Sequence, residues 1–445
     1  MKKKLFLIFI IGLHFYAPAQ DREKSEQLAS FLNTERWIEM REFMQAQKKE
    51  NVVDSILWQI ANLLSDYNFN CLDNLSEKTN KVINIYRNQK RNSDEDQVRW
   101  LMLLQNHYDY LQDFRNSLRI CKDILNVQSE DSFIISKQQE QTILKPFYER
   151  LSLCPPLRIK QLSRDTILHY SSPLGTYLPF CNALCNGEKI TSLMDTGAGM
   201  PIMYKKKADK LNVKYILGDT TYINGNTISQ RAIIDSLQIG NYIFYNLQIA
   251  VLPDIKKEIL SENVEGISEK RINKGIQILE TPDLIWGMPC LRYMKEICFD
   301  TQKHVISMPT MASNPISKSP IALIDNILYV KIILNNEPFI GHLDTGMEGG
   351  IRINKRFYGI HQKHLPIDKD SIVTTMGFTS LRNTPVKLPK LAKIKIGKEN
   401  RNLPCNQTWI LPDNICKYDG MIGNFIFKEF DTIIFNFEDM WIHVK

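Results

Sequence analysis

The triplet Asp-Thr-Gly occurs twice in this 445-residue chain, each time in the same setting. Asp195-Thr196-Gly197 follows the run Ser192-Leu193-Met194, and Asp344-Thr345-Gly346 follows Gly341-His342-Leu343. Each run is typical of a buried strand, and each triplet leads into a glycine-rich turn. An acid at the end of a buried strand is costly unless it is hydrogen-bonded or used in chemistry. Two acids in matching settings therefore predict a site built from paired carboxylates.

The matching continues on both sides of the triplets and forms an internal repeat. Its landmarks keep one order in both halves: a polar turn before the strand, a glycine-bearing tip, a segment ending in Ile-Gly, a segment ending in Leu-Pro-Asp, an apolar pair before glycine, and a strand-like end. They are 186–188, 220–225, 237–240, 251–254, 285–287 and 299–300 in the first half, and 335–337, 374–377, 394–397, 410–413, 421–423 and 435–436 in the second. The repeat predicts two similar β-rich lobes in one chain.

The triplets and the apolar segments Ile285-Trp286-Gly287 and Met421-Ile422-Gly423 resemble those of aspartic peptidases of the retropepsin and pepsin type. In that family, two lobes or two identical subunits each supply an Asp-Thr-Gly loop, a flap hairpin and a hydrophobic-hydrophobic-Gly segment. The resemblance implies two retropepsin-like β-barrel lobes, 165–310 and 321–445, that form a pseudo-two-fold aspartic peptidase. A linker rich in Ser, Asn and Pro, 311–320, would join them.

The resemblance also implies roles for the residues of the repeat. Asp195 and Asp344 would be the catalytic pair. The catalytic loops would be supported by Thr196, Gly197, Thr345, Gly346, Gly287 and Gly423. Flap residues near the substrate would be Tyr222, Gly225 and Gly377, with packing on the surface as the alternative for Tyr222. His342, close to Asp344, is interpreted as a strand residue rather than a catalytic base.

Two carboxyl groups held about 3 Å apart share one proton because both cannot ionise easily. The ionised member can then take a proton from a bound water, and the protonated member can polarise the scissile carbonyl. This chemistry needs neither a metal nor a cofactor. Pepsins usually carry a hydroxyl just after the glycine, where this chain has Ala198 and Met347. Losing that donor removes an effect that lowers the carboxyl pKa, so we expect a milder pH optimum than that of pepsin.

The first 19 residues predict a signal peptide and therefore an exported protein, periplasmic or secreted. Lys2-Lys3-Lys4 gives a basic start, 5–16 is apolar, and Ala17-Pro18-Ala19 is a small-x-small cleavage site. The apolar run is too short to predict a transmembrane helix, so we expect no integral membrane span after cleavage. Removal of Lys2, Lys3 and Lys4 with the signal peptide would lower the formal net charge from +7 to +4, and this modest excess gives no reason to invoke nucleic acid.

The stretch 21–153 has a helical period and predicts an α-helical accessory domain of helical hairpins. Val53, Ile56, Leu57, Ile60 and Leu64 illustrate the spacing. The pattern loosely resembles tetratricopeptide-type hairpins, and a generic helical bundle is the alternative. The domain could bind a protein partner, or it could be a prosegment that covers the cleft. The whole chain is then a multidomain α plus all-β protein.

Nine cysteines leave at least one unpaired within the chain. Close spacing makes Cys290 with Cys298, and Cys405 with Cys416, candidate disulfides, with buried free thiols as the alternative. There is no Cys-x-x-Cys pair, and Cys181 and Cys185 have no matching histidine pair, so no zinc site is predicted.

The sequence therefore predicts an exported aspartic endopeptidase that acts on a peptide or protein substrate through Asp195 and Asp344. One alternative keeps the fold but not the activity: a pseudo-peptidase that binds peptides through its cleft and helical domain. Another pairs the first half of one chain with the first half of a second chain, which would leave Asp344 idle.

Overall fold

The computed structural model describes residues 19–47, 55–71, 73–88, 94–223, 227–253, 268–376 and 381–445. The chain divides into two compact units, Met1–Pro156 and Leu157–Lys445. Residues 1–18 of the predicted signal peptide lie outside the described residues, as do Gly225 and Gly377.

The first unit is helical throughout its described part. Its helices are α1 (Ala19–Asn33), α2 (Trp37–Gln47), α3 (Ser55–Asn68), α4 (Leu75–Asn88), α5 (Asp94–Tyr110), α6 (Phe114–Leu125) and α7 (Ser132–Ser152). Short turns join the last three, and Asp113 caps α6 by accepting a hydrogen bond from the backbone N–H of Asn116. The amides of Gln105 and Gln141 exchange two hydrogen bonds of 2.8 and 2.9 Å in the core. The likeness to tetratricopeptide hairpins stays a prediction.

The second unit is built mainly from strands. Its first half contains β1 (Arg158–Gln161), β2 (Thr166–Ser171), β3 (Phe180–Cys185), β4 (Glu188–Met194), β5 (Ile202–Tyr204), β6 (Lys214–Ile223), β7 (Thr227–Ile239), β8 (Tyr242–Leu252), β9 (Leu284–Trp286), β10 (Glu296–Asp300) and β11 (Val305–Met308). Its second half contains β12 (Ser319–Ile324), β13 (Ile327–Leu334), β14 (Glu337–Leu343), β15 (Ile351–Ile353), β16 (Ile367–Met376), β17 (Leu381–Pro389), β18 (Ala392–Ile396), β19 (Glu399–Leu403), β20 (Thr408–Ile410), β21 (Gly420–Ile422), β22 (Thr432–Asn436) and β23 (Trp441–Val444).

Five short α-helices accompany these strands in the described residues. They are α8 (Lys205–Lys210), α9 (Glu269–Glu280), α10 (Met288–Leu291), α11 (Lys355–His361) and α12 (Ile426–Glu429). Single 3₁₀ turns occur at Pro173–Gly175, Gln362–His364 and Cys405–Gln407. Helix α9 lies in the stretch of the first half that has no counterpart in the repeat. Within the described part of the whole chain, no helix combines the length and apolar character needed to cross a bilayer.

A tight hairpin delivers each Asp-Thr-Gly triplet. Strands β3 and β4 join through Asn186-Gly187, and β13 and β14 join through Asn335-Asn336. All four turn residues have positive φ, between 48° and 86°, which suits the right-handed twist of the flanking strands. The polar turn that the repeat places before each acid-bearing strand is therefore a hairpin turn. Each acid-bearing strand also pairs in parallel with a short apolar strand. Strand β4 pairs with β9, which precedes Gly287, and β14 pairs with β21, which precedes Gly423.

The ends of the two halves form one antiparallel sheet. Its strand order is β2, β11, β10, β22, β23, β12, so each half supplies three strands. The central pair, β10 and β22, aligns Phe299 with Ile433 and Ile297 with Phe435, and all four side chains are fully buried. Burial of this apolar surface stabilises the contact between the halves.

Each half also has a long hairpin whose tip lies outside the described residues. In the first half β6 pairs with β7 up to Ile223 and Thr227, and in the second β16 pairs with β17 up to Met376 and Leu381. These hairpins occupy the stretches that the repeat assigns to flaps.

Two boundaries differ from those expected from the sequence. Strand β1 pairs with β8, so the β-rich unit begins before the expected start of the first lobe at residue 165. Strand β12 begins at Ser319, inside the expected linker 311–320, because Ser319 and Pro320 pair with β23. The expected linker also makes hydrogen bonds at Ser313, whose backbone N–H and hydroxyl both donate to Glu296 Oε2.

Both candidate disulfides are wrong, because Cys290, Cys298 and Cys416 are free thiols. Cys290 is fully buried in α10, whereas Cys298 lies on β10 and is hydrogen-bonded to Ser307. The Cys416 thiol donates to the carbonyl of Gly420 at 3.0 Å. Closeness in sequence did not bring these sulfur atoms together.

Candidate active site

The structure brings the two Asp-Thr-Gly triplets of one chain together. The carboxyl groups of Asp195 and Asp344 are hydrogen-bonded to each other. Asp195 Oδ1 also accepts hydrogen bonds from the backbone N–H groups of Gly197, at 2.8 Å, and Gly346, at 3.2 Å. Asp344 Oδ1 accepts one from the N–H of Met347, at 2.9 Å. Each loop thus contributes to holding the carboxyl pair.

The two triplet glycines face the opposite carboxyl groups. A Cβ added at Gly197 would lie 2.5 Å from Cγ of Asp344, and a Cβ added at Gly346 would lie 2.5 Å from Cγ of Asp195. Both distances are below 3.0 Å, a separation that real Cβ atoms essentially never show. The close approach of the carboxyl groups therefore requires glycine at both positions.

The two threonines link the loops through reciprocal hydrogen bonds. The backbone N–H of Thr196 donates to Thr345 Oγ1, and the N–H of Thr345 donates to Thr196 Oγ1, both at 3.0 Å. The hydroxyl of Thr196 donates to the carbonyl of Leu343 at 2.6 Å, and that of Thr345 to the carbonyl of Met194 at 3.1 Å. Both threonines are completely buried, so these four bonds hold the loops in one relative position.

The later glycines lie directly against the triplet loops. A Cβ at Gly287 would stand 2.0 Å from the carbonyl oxygen of Ala198, which accepts the N–H of Met288 at 2.9 Å. A Cβ at Gly423 would stand 2.7 Å from the carbonyl oxygen of Met347, which accepts the N–H of Asn424 at 2.9 Å. Only a residue without a side chain allows this approach.

Burial sets the charge state of the carboxyl pair. Loss of hydration raises the pKa of Asp195 well above its ordinary value, and the neighbouring Asp344 raises it further. Burial also raises the pKa of Asp344, but the hydrogen bond from Asp195 and the positive charge of Arg352 oppose that shift. The pair therefore holds one proton over a wide pH range, and the negative charge is favoured on Asp344.

Two further polar side chains lie near the carboxyl pair: His342, which was interpreted from the sequence as a strand residue and lies in β14, and Arg352, to which the sequence analysis gave no role. His342 is only 9% exposed, and burial lowers the pKa of its imidazole to about 4, so it is neutral. Arg352 is largely buried, which lowers the pKa of its guanidinium, and the charge of Asp344 opposes that shift. The Arg352 guanidinium lies 5.3 Å from the ring centroid of Trp409. Within the described residues, His342 Nε2 and Arg352 Nε have no hydrogen-bond partner.

The surface beside Asp195 is apolar instead. Leu193, Ala198, Ile202 and Ile285 belong to one buried cluster that also includes Ile276 of helix α9. Met376 and Leu381, from the long hairpin of the second half, pack into the same cluster. Helix α9 therefore covers apolar residues that flank the first triplet.

The expected flap residues are only partly described. The backbone of Tyr222 lies in β6, paired with Ile228. Gly225 and Gly377 fall in the two hairpin tips outside the described residues. No group of three or more His, Cys, Asp or Glu side chains in the described ranges is arranged to hold a metal ion.

A family model described as gag-polyprotein putative aspartyl protease matches residues 181–260. The match includes Asp195 and the first long hairpin but spans well under half of the chain. It supports an aspartic-peptidase fold for this stretch. No curated protein matches the chain.

Several solved structures are similar to this chain. A retropepsin-like aspartic protease from Rickettsia conorii matches with 19% identity and a TM-score of 0.21, over 34% of this chain and 92% of that one. An aspartic proteinase from Irpex lacteus matches with 11% identity and a TM-score of 0.37, over 63% and 97%. Basic 7S globulin from soybean matches with 9% identity and a TM-score of 0.36, over 63% and 96%.

Proposed function

We propose that this protein is an exported aspartic endopeptidase and that Asp195 and Asp344 are its catalytic dyad. The observation that carries the proposal is the hydrogen-bonded pair of buried carboxyl groups, each facing the glycine of the other triplet. A purely structural acid pair at this depth would be costly, because burial penalises charged carboxylates strongly.

The charges suggest a role for each acid. Asp344, next to the positive charge of Arg352, is the ionised member and takes a proton from the attacking water. Asp195 is the protonated member and donates a hydrogen bond to the carbonyl oxygen of the scissile peptide. The oxygen gains negative charge as water attacks, and the proton of Asp195 stabilises it. No covalent intermediate with the protein forms.

The pairing of strands supports a pseudo-two-fold arrangement of two lobes. Each half has a hairpin that ends in the triplet, a parallel partner strand before a glycine, and three strands of the shared sheet. The two long hairpins, β6–β7 and β16–β17, are the flaps of this arrangement. The substrate peptide would bind between the flaps and the carboxyl pair.

Two parts of the proposal rest on sequence alone. Export, to the periplasm or beyond the cell, rests on the signal-peptide pattern of residues 1–19. A protein partner at the helical unit rests on its extended helical pattern.

The proposal is tested by incubating the full-length protein with a mixed peptide library from pH 3 to 8. Asp195→Asn and Asp344→Asn should each lower hydrolysis by at least about a thousandfold, because each removes one half of the proton relay. Asp235→Asn is the control, since Asp235 is an exposed carboxylate paired with Lys214 on the surface. The raised pKa values place the optimum in mildly acidic or neutral solution.

Each result against the proposal has a distinct meaning. A folded wild-type protein that cleaves no peptide but binds peptides would favour the pseudo-peptidase. Activity that survives Asp344→Asn would overturn the shared dyad. An optimum near pH 2 would contradict the assigned effect of burial on the carboxyl pKa values.

A further inference from the structure

The second half of the proposed cleft contains a row of polar and aromatic side chains that the first half lacks. The row crosses five neighbouring strands, and each step is a pair of residues in register: Tyr329 with His342, His342 with Met421, Met421 with Arg352, and Arg352 with Trp409. Paired residues on adjacent strands lie on one face of a sheet. We call this set the second row.

The first half has the matching set, which we call the first row. It pairs Phe180 with Leu193, Leu193 with Ile285, Ile285 with Ile202, and Ile202 with Ala250. Four of its members belong to the apolar cluster beside Asp195. Five equivalent positions are therefore apolar in one half, whereas in the other they include an arginine, a histidine, a tyrosine and a tryptophan.

The second row faces the same side of the sheet as the carboxyl group of Asp344. His342 precedes Asp344 by two residues, and side chains two apart in an extended chain share a face. The electrostatic effects agree with this placement, because Arg352 acts on Asp344 and His342 acts on Asp195. The row is therefore next to the carboxyl pair, where a substrate side chain beside the scissile bond would lie.

Two polar atoms of this row are buried without partners in the described residues, whereas the indole N–H of Trp409 donates to the carbonyl of Asn406. Arg352 Nε and His342 Nε2 are both inaccessible to solvent and unpaired. A buried polar atom without a partner costs about 1–3 kcal/mol. The Arg352 side chain as a whole is only partly buried, so a substrate carboxylate can approach its guanidinium, where the hydrogen bond is charge-assisted.

We propose that the second row is a subsite for an acidic side chain, Glu or Asp, adjacent to the scissile bond of the substrate. This inference rests on the proposed peptidase function and specifies its substrate class. The guanidinium of Arg352, held against Trp409, receives the substrate carboxylate. Its several donors allow it to serve the substrate and to favour the charge on Asp344 at once.

The test compares two peptide substrates that differ only by Glu or Gln next to the cleaved bond, since these residues have the same shape. Wild-type protein should cleave the Glu peptide with a kcat/KM at least about tenfold higher. Arg352→Met should bring the ratio close to one, and Arg352→Lys should keep part of the preference because it keeps the charge. Arg356→Met is the control, because Arg356 is an exposed arginine on α11.

Equal rates for the Glu and Gln peptides with wild-type protein would overturn the proposal. The same conclusion follows if Arg352→Met slows both peptides by one factor, because Arg352 would then act only on Asp344. If no peptide is cleaved, binding of the two peptides to Asp195→Asn protein is measured by calorimetry. Tenfold tighter binding of the Glu peptide would support the subsite without the activity, and equal binding would reject it.

Discussion

The two halves of the β-rich unit share one frame around the carboxyl pair but surround it with opposite chemistry. Around Asp195, the first row and helix α9 form an apolar cluster. Around Asp344, the second row places Arg352 and His342 in buried positions with unpaired nitrogen atoms. The hydrogen bonds of Thr196 and Thr345, in contrast, are reciprocal. A duplicated frame can thus keep the surroundings of its central carboxyl pair symmetric while its two flanks diverge.

Among these tests of the comparison, the largest loss of peptide hydrolysis should come from substitutions that disturb the symmetric surroundings of the carboxyl pair. Gly197→Ala and Gly346→Ala each place a methyl group 2.5 Å from the opposite Cγ, so the carboxyl pair must separate. We expect each substitution to reduce peptide hydrolysis by about a hundredfold or more, since a displacement of about 1 Å has that effect on a catalytic group. Steady-state kinetics on one peptide substrate would measure the loss.

Gly199→Ala is the matched control, because nothing lies within 4 Å of a Cβ at Gly199. It should keep the wild-type rate. A large loss for Gly197→Ala combined with a small one for Gly346→Ala would show that the two loops do not contribute equally to the carboxyl pair.

The common frame could be predicted from the sequence, whereas the difference between the two rows could not. The acids, the hairpin turns and the later glycines carry local signals, namely a repeated triplet, positive-φ Asn and Gly residues, and an apolar-apolar-Gly pattern. The equivalence of Ile202 and Arg352 is hidden, because Ile202 stands seven residues after Asp195 and Arg352 stands eight after Asp344. Only the strand register shows that Ile202 pairs with Ile285 and that Arg352 pairs with Met421. Ile285 and Met421 each stand two residues before the glycine of their half, Gly287 or Gly423.

Long-range packing was equally inaccessible from the sequence. The stretch containing α9 has no counterpart in the repeat, and nothing in its local sequence shows that Ile276 packs beside Ala198. The candidate disulfides failed for the same reason, because sequence spacing does not fix the direction of two side chains.

The apolar flank provides a second, smaller test of the comparison. Ile276→Ala removes a buried side chain from the cluster beside Asp195, and we expect a loss of about 2–4 kcal/mol in the free energy of unfolding. Urea denaturation would measure it. Lys274→Ala, on the exposed face of the same helix, should change stability by less than about 0.5 kcal/mol. Equal effects of the two substitutions would contradict the packing of α9 on the first row.

The smallest predicted effect is a difference between Asp195 and Asp344 in how each contributes to the stability of the protein. Burial raises the pKa of both carboxyl groups, so the folded protein retains a proton that the unfolded chain releases above about pH 4. Stability must then fall as the pH rises from that value through the raised pKa values of the folded pair. Asp195→Asn removes a group subject to this penalty and should stabilise the protein at pH 7 by on the order of 1 kcal/mol.

Asp344→Asn should stabilise the protein less, or destabilise it, because it leaves the buried guanidinium of Arg352 without its neighbouring negative charge. Urea denaturation of both variants and the wild type at pH 5 and pH 8 measures the difference. The wild type should lose stability between the two pH values, and Asp195→Asn should lose less. Equal stabilisation by the two substitutions would show that Arg352 does not distinguish the acids, and the electrostatic part of the comparison between the halves would be wrong.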